Sequence, residues 1–148
     1  MPTSAATNPQ GKRAIRLDYD LKSPPEKVWR ALTQSDLLAR WLMPNDMVAK
    51  TGHKFQFKSP TPPGANWDGI VKCEVLEATA SKRLRLTWVG GGLDSVVSWT
   101  LTPTAGGTRL HVEQDGFGPD QTWAYDGATQ GWNKFIGEML PKLLATLK

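Results

Sequence analysis

From His53 to Gln114 the chain repeatedly changes character at every second residue, and this alternation constrains the fold more than any other feature. Phe55 and Phe57 alternate with Lys54, Gln56 and Lys58. Leu84, Leu86 and Trp88 alternate with Arg83, Arg85 and Thr87. Val97, Trp99 and Leu101 alternate with Ser98 and Thr100, and Leu110, Val112 and Gln114 with Arg109, His111 and Glu113. Val71, Cys73 and Val75 follow the same period in the stretch from Trp67 to Glu77. A period of two with one apolar side is the signature of half-buried strands. The breaks between the runs are short and rich in Gly and Pro: Ser59-Pro60-Thr61-Pro62-Pro63-Gly64, Gly90-Gly91-Gly92 and Thr104-Ala105-Gly106-Gly107. Connections of that length join antiparallel neighbours, because a parallel crossover needs a dozen residues or more. An earlier run, Arg13 to Leu21, places Ile15, Leu17, Tyr19 and Leu21 on one side and brings the expected sheet to about six strands.

The period changes after Gly118-Pro119-Asp120. Trp132, Phe135, Ile136, Met139, Leu140, Leu143, Leu144 and Leu147 recur at helical spacing and predict one long helix from about Pro119 to Leu147. Pro141 lies inside it and removes the hydrogen bond to the Gly137 carbonyl, so a kink is expected there. Its first half carries small residues instead, Ala124, Gly127, Ala128 and Gly131, which allow close approach to a sheet or leave space against it. Two short helices are expected after the first strand. One opens at Ser23-Pro24-Pro25-Glu26, with Ser23 as its cap and Glu26 closing a capping box. The other starts near Ser35-Asp36 and includes Leu37, Leu38 and Trp41. The predicted class is therefore α+β, with one curved antiparallel six-stranded sheet wrapped around a long C-terminal helix.

A chain of 148 residues is the size of one domain. Residues 13–148 are read as that domain and 1–12, small and polar, as a disordered tail. Seven tryptophans exceed what a compact core of this size needs, so some are expected to line a cavity or an interface. Cys73 is the sole cysteine and the two histidines, His53 and His111, lie far apart, which excludes a disulfide and gives no metal-ligand spacing. No phosphate-binding glycine loop, no G-x-S-x-G elbow and no H-E-x-x-H run is present, so no cofactor, metal or catalytic residue is assigned. Cys73 reads as a buried inert thiol, His53 as a packed or rim residue, and His111 as solvated. Glu77 is explained equally well by a structural hydrogen bond or ion pair and by a functional role. The net charge of +4 is not gathered into a basic stripe, which argues against nucleic acid. No apolar run reaches the roughly 18 residues of a membrane span, and the N-terminus lacks the apolar core of a signal peptide, so a cytoplasmic location is expected.

Several segments, taken in order, resemble a known family. They are Ser23-Pro24-Pro25-Glu26-Lys27-Val28-Trp29-Arg30-Ala31-Leu32-Thr33, then Leu38-Ala39-Arg40-Trp41, Gly52-His53-Lys54-Phe55-Gln56-Phe57, and Val75-Leu76-Glu77 leading to Leu84-Arg85-Leu86-Thr87-Trp88. Gly107-Thr108-Arg109-Leu110 and Gly131-Trp132 complete the set. Over about residues 13–147 the chain is similar to the bacterial relatives of the heat-shock-protein-90 ATPase activator C-terminal domain, in the START-like (SRPBCC) superfamily with its helix-grip fold. It departs from many relatives at Leu42-Met43-Pro44-Asn45-Asp46-Met47 and at Thr51-Gly52, where a glycine pair is usual.

The resemblance implies the fold more than a function, because members of the family bind varied ligands. The small residues of the last helix leave room for a cavity between its first half and the sheet, holding a small, largely apolar ligand. The other reading is that the aromatics fill each other's space as plain core. Trp41, Phe55, Phe57, Trp67, Trp88, Trp99, Phe117 and Trp123 would line that cavity, with Gln114 and Tyr125 orienting the ligand. For Gln114 the residues leave two satisfactions open, by the protein or by a ligand. The alternative is a protein-interaction module of co-chaperone or stress-response type, with Arg13, Arg16, Lys54 and Lys58 as charged contacts. The eukaryotic activator joins this domain to a separate N-terminal one, so chaperone activation is not carried over. A homodimer through exposed aromatics stays open.

Overall fold

A computed structural model describes residues 13–58, 69–90 and 93–147 of the chain, together with the backbone of 5–7; at 123 it likewise describes the backbone alone. The described strands are β1 (Ala5–Thr7), β2 (Arg13–Leu21), β3 (Lys54–Lys58), β4 (Ile70–Thr79), β5 (Arg83–Gly90), β6 (Leu93–Thr104) and β7 (Gly107–Phe117). They form one antiparallel sheet in the order β1-β2-β7-β6-β5-β4-β3. All six expected strands are present. The seventh corrects the reading of the tail at one point, because Ala5–Thr7 pairs with Arg13–Ile15. Small residues there add a ladder to the otherwise free edge of β2, and edge pairing of that kind leaves no periodic trace in three residues.

The alternation translates directly into burial. Ile15 and Leu21, Phe55 and Phe57, Val71, Cys73 and Val75, Leu84 and Leu86, Val97, Trp99 and Leu101, and Leu110 and Val112 all face one core. Gly116 breaks the alternation where the site needs it broken. Arg13 pairs with Phe117 and Ala14 with Asp115, so Gly116 is an extra residue in β7. Its φ of +127° lies in glycine territory, and a Cβ there would stand 2.6 Å from the Asp94 carbonyl oxygen. This bulge turns Phe117 inward, directly after the inward run Leu110, Val112, Gln114. A second register shift, between Val75 and Glu77, leaves Leu76 exposed.

Helices α1 (Pro25–Thr33) and α2 (Ser35–Trp41) follow β2. The cap of α1 is Pro24, with no side-chain cap bond, rather than Ser23. Ser23 instead uses its carbonyl to accept the Thr108 hydroxyl at 2.7 Å, tying the turn to β7. Pro25 at the first helical position carries no N–H, so the helix start has one donor fewer to satisfy.

The C-terminal helix is α3 (Thr122–Lys134), a π-helical turn at Phe135–Met139, and α4 (Leu140–Leu144). The irregularity expected at Pro141 thus lies ahead of it. The Leu140 N–H bonds the Phe135 carbonyl, one residue further back than in an α-helix. That wider turn restarts the helix so that Pro141 falls in the first turn of α4, where a missing N–H costs little. Ile136 within that turn and Leu140, Leu143 and Leu144 of α4 are buried, with α4 against α1 and α2. No helix among the described residues is long and apolar enough to cross a membrane.

Candidate functional site

The inner face of the sheet carries a continuous path of rings that ends on the helix. Phe55 and Phe57 on β3 meet edge to face at 5.3 Å between centroids. Phe57 meets Trp88 of β5 at 5.1 Å, and Trp88 meets Trp132 of α3 at 5.4 Å. Trp132 also meets Trp99 of β6 perpendicularly at 5.8 Å. Each such pair contributes about 1 kcal/mol beyond its area burial. Near the start of α3, Phe117 meets Tyr125 edge to face at 5.4 Å. Phe55, Phe57, Trp99, Phe117 and Trp132 are buried, whereas Trp88 and Tyr125 are only partly covered.

A short polar network fixes the centre of this path. Trp132 donates its indole N–H to Gln114 Oε1 at 2.9 Å, and Gln114 Nε2 donates to Ser95 Oγ at 3.1 Å. Ser95 donates in turn to the Trp88 carbonyl oxygen at 2.9 Å. The protein itself thus supplies a partner for each end of the Gln114 amide, the first of the two satisfactions open to it, and one of those partners is Trp132. Register places Gln114 beside Val97, and the inward parity of both is readable from the chain, but nothing in the sequence shows that the helix sets Trp132 above them. Ser95 and Trp132 are not among the residues the sequence assigns to the site. Ser95 shares the parity of Val97 and Trp99, which is the signal that could have found it.

The buried indoles differ in one respect. Trp41 donates to the Ala31 carbonyl oxygen at 2.8 Å and Trp132 to Gln114. Trp99 is 1% exposed, and its Nε1 has no acceptor among the described residues. Leaving such a donor unmade costs about 1–3 kcal/mol.

Above the sheet, Tyr125, Ala128 and Trp132 share one side of α3, at spacings of three and four residues. Tyr125 reaches Phe117 and Trp132 reaches Trp88 and Trp99, and the side chain between them is a single methyl. Ala124 and Ala128 touch the core yet stay only partly buried. Arg13 closes the outer end, its guanidinium 4.2 Å from the centre of the Tyr125 ring and 3.4 Å from Thr122 Oγ1. Tyr19 fastens the helix further along by donating to Asn133 Oδ1 at 2.6 Å, and burial pushes its hydroxyl up to about 12.

The other expected residues fall as follows. Trp41 is held under α1 by its bond to Ala31, within the filled part of the core. Trp67 lies outside the described residues, as does the side chain of Trp123, whose backbone is in α3. His53 stacks on Phe55 at 6.1 Å and its Nε2 lies 3.1 Å from the Asp46 carbonyl oxygen, a rim position. Cys73 is buried, and desolvation pushes its thiol up to about 12, which makes it inert. Glu77 accepts the Thr79 hydroxyl at 3.1 Å. His111 is more engaged than its expected solvated state, with Nδ1 2.9 Å from Asp18 and Nε2 3.7 Å from Glu113. Arg16, a charged contact in the alternative reading, bonds Glu113 at 3.0 Å. Among the described residues no group of three His, Cys, Asp or Glu side chains is placed to hold a metal. The large apolar side chains exposed among them are Val48 and Leu76.

The comparisons fit this geometry. Residues 22–145 match the model of the family described as Activator of Hsp90 ATPase homolog 1-like protein. Among solved structures, a Mesorhizobium loti protein is 43% identical, with a TM-score of 0.82 over 92% of this chain and 99% of that one. A Bacillus halodurans protein is 27% identical, with a TM-score of 0.75 over 88% and 96%. A Chromobacterium violaceum protein is also 27% identical, with a TM-score of 0.74 over 88% and 96%. No curated protein matches. The chain belongs to the Activator of Hsp90 ATPase homolog 1-like family.

Proposed function

We propose that this family member binds a small, largely apolar ligand between the inner face of the sheet and α3. The observation that carries the reading is the inward side of that helix. Tyr125 and Trp132 reach the sheet, and the residue between them is Ala128, a core-facing side chain that remains partly uncovered. Rings border that position on both sides, Phe117 and Tyr125 at one end and Trp88, Trp99 and Trp132 at the other. Ligand sites are concave and largely apolar, with few placed polar groups, and the half-covered Trp88 indole is the surface such a ligand would cover. The family resemblance points to the same place.

The role is binding without turnover. The thiol nearest this face, Cys73, is held protonated by burial, and the Gln114 amide is committed to Trp132 and Ser95. A protein-docking role would be expected to expose an apolar patch. Among the described residues the exposed large apolar side chains are two, Val48 and Leu76.

The test is a titration of naphthalene followed by tryptophan emission. Saturable quenching that persists in Trp29→Ala and disappears in Trp88→Ala is the expected result. Quenching unaffected by Trp88→Ala would place the ligand elsewhere, and no saturable response would remove the binding reading.

A further inference from the structure

The outer face of the sheet carries its charges in an ordered row. Strand register sets Glu77, Arg85, Ser98, Glu113 and Arg16 side by side across β4, β5, β6, β7 and β2. Arg85, Ser98 and Glu113 each lie between two buried, core-facing neighbours and so point outward. The register shift between Val75 and Glu77 brings Glu77 opposite Arg85, and cross-strand partners share a face. Across the strands the signs run minus, plus, neutral, minus, plus. Read backwards, every charged position carries the opposite sign. Around the row, cations predominate outward on β3–β5 and acids on β7 and β2.

Such a row is complementary to its own reverse. β6 is the middle strand of the sheet, and a two-fold axis along it would lay β5 of one copy over β7 of the other. Arg85 then meets Glu113 of the other copy, with Glu77 and Arg16 opposed on either flank. An isologous contact demands this kind of self-complementary patch, whereas a face of one sign would repel its copy. The relief of the face agrees. A depression of about 240 Å³ lies over β6, where Val96 and Ser98 are short, between Arg83 and Arg85 on one side and Glu113 and Asp115 on the other. None of the ion pairs among the described residues takes Arg83 or Arg85. Arg85 is only partly exposed, yet its Nε has no acceptor among the described residues. Arginine is enriched where proteins meet. We infer that this face is the contact between two copies of this chain, joined about β6 with Arg85 of each on Glu113 of the other. Exposed ion pairs are individually weak, so the association is weak and charge-driven. It stands independently of the ligand site on the inner face.

Sedimentation of the wild-type chain over a concentration series reaching about 1 mM tests the contact. A monomer–dimer equilibrium is expected at low ionic strength, and raising the salt from about 0.05 to about 0.5 M should weaken it about tenfold. Arg85→Glu and Glu113→Arg should each be monomeric, because like charges then meet across the axis. An equimolar mixture of the two should dimerise again, because both central contacts of the mixed pair are opposite in sign. Cross-linking gives a route that reverses no charge. Ser98 lies on the axis and faces its own copy, so Ser98→Cys should be joined by a bis-maleimide of about 10 Å reach, the spacing of packed sheets. Asp18→Cys on β2, well off the axis, should not. Cys73 is buried and protonated and stays out of the reaction. A monomer at every concentration in low salt, a dimer that both reversals leave intact, or a mixture of the folded variants that stays monomeric would each overturn the contact. So would cross-linking of Asp18→Cys in preference to Ser98→Cys.

Discussion

From Ile136 onward the C-terminal helix sets Ile136, Leu140, Leu143 and Leu144, each at most 5% exposed, against its neighbours. Between Tyr125 and Trp132 the same helix presents Ala128, and both Ala124 and Ala128 stay partly uncovered. Both halves lean on the same protein, but they meet different neighbours. The second half packs on α1 and α2 and the first on β7. The π-helical turn at Phe135–Met139 separates them and lets each half take its own seat. The lesson is that one helix can turn large aliphatic side chains to the core in one half and small ones in the other. The change takes only a difference of residue size and a local change of helical pitch.

The contrast can be broken first at the filled end. Leu140→Ala should cost about 3 kcal/mol in urea unfolding, because the closed packing around it cannot collapse onto the missing atoms. A loss below about 2 kcal/mol, the low end for leucine to alanine in a core, would show that the second half is as loosely seated as the first. Next in size is Gln114→Leu. It strands the Trp132 N–H and should cost about 2 kcal/mol, with the Trp132 indole resonance moving as its acceptor is lost. An unchanged resonance would mean that the helix is not positioned through this amide.

Alkaline titration gives a smaller and graded effect. Burial raises the Cys73 thiol from 9.0 to about 12 and the Tyr19 hydroxyl from 10.0 to about 12. The folded chain therefore holds these protons more tightly than the unfolded one. Stability should be level in this respect below about pH 9 and fall as pH rises toward about 12. Cys73→Val should remove the part of that slope beginning near pH 9, and the wild-type thiol should resist alkylation at about pH 8 until the protein is unfolded. Smallest is Arg16→Ala on the outer face. Its pair with Glu113 is solvent-exposed, so the loss should be under about 0.5 kcal/mol and should shrink further in salt.

The same two regions show what the chain discloses and what it withholds. The strands and their inward residues are legible because a period of two fixes the facing of every side chain at once. Phe117 is expected at the site, yet only the structure supplies its reason, the Gly116 bulge that resets the alternation. The aliphatic plug is legible at helical spacing. The Pro141 irregularity is legible too but falls earlier than expected, because a proline shows which bond is lost and not how the helix redistributes the loss. Ser23 matches a cap signature but the helix starts one residue on, since Pro24 and Pro25 fix the local backbone themselves. Least legible is Trp132. The chain marks it as apolar and inward, but its meeting with Gln114, Trp88 and Trp99 depends on how the helix is rotated over the sheet, and no local pattern encodes that phase.

The most direct test of the central claim is Ala128→Leu, measured for naphthalene affinity and for thermal stability in the same preparation. If the first half of the helix holds a gap, the larger side chain fills it: stability is kept or raised, and saturable binding is lost. If instead the site is already packed, the introduced leucine overfills it at a cost of about 1–3 kcal/mol while naphthalene binding persists, and that pair of results would contradict the division of the helix into a closing half and a binding half.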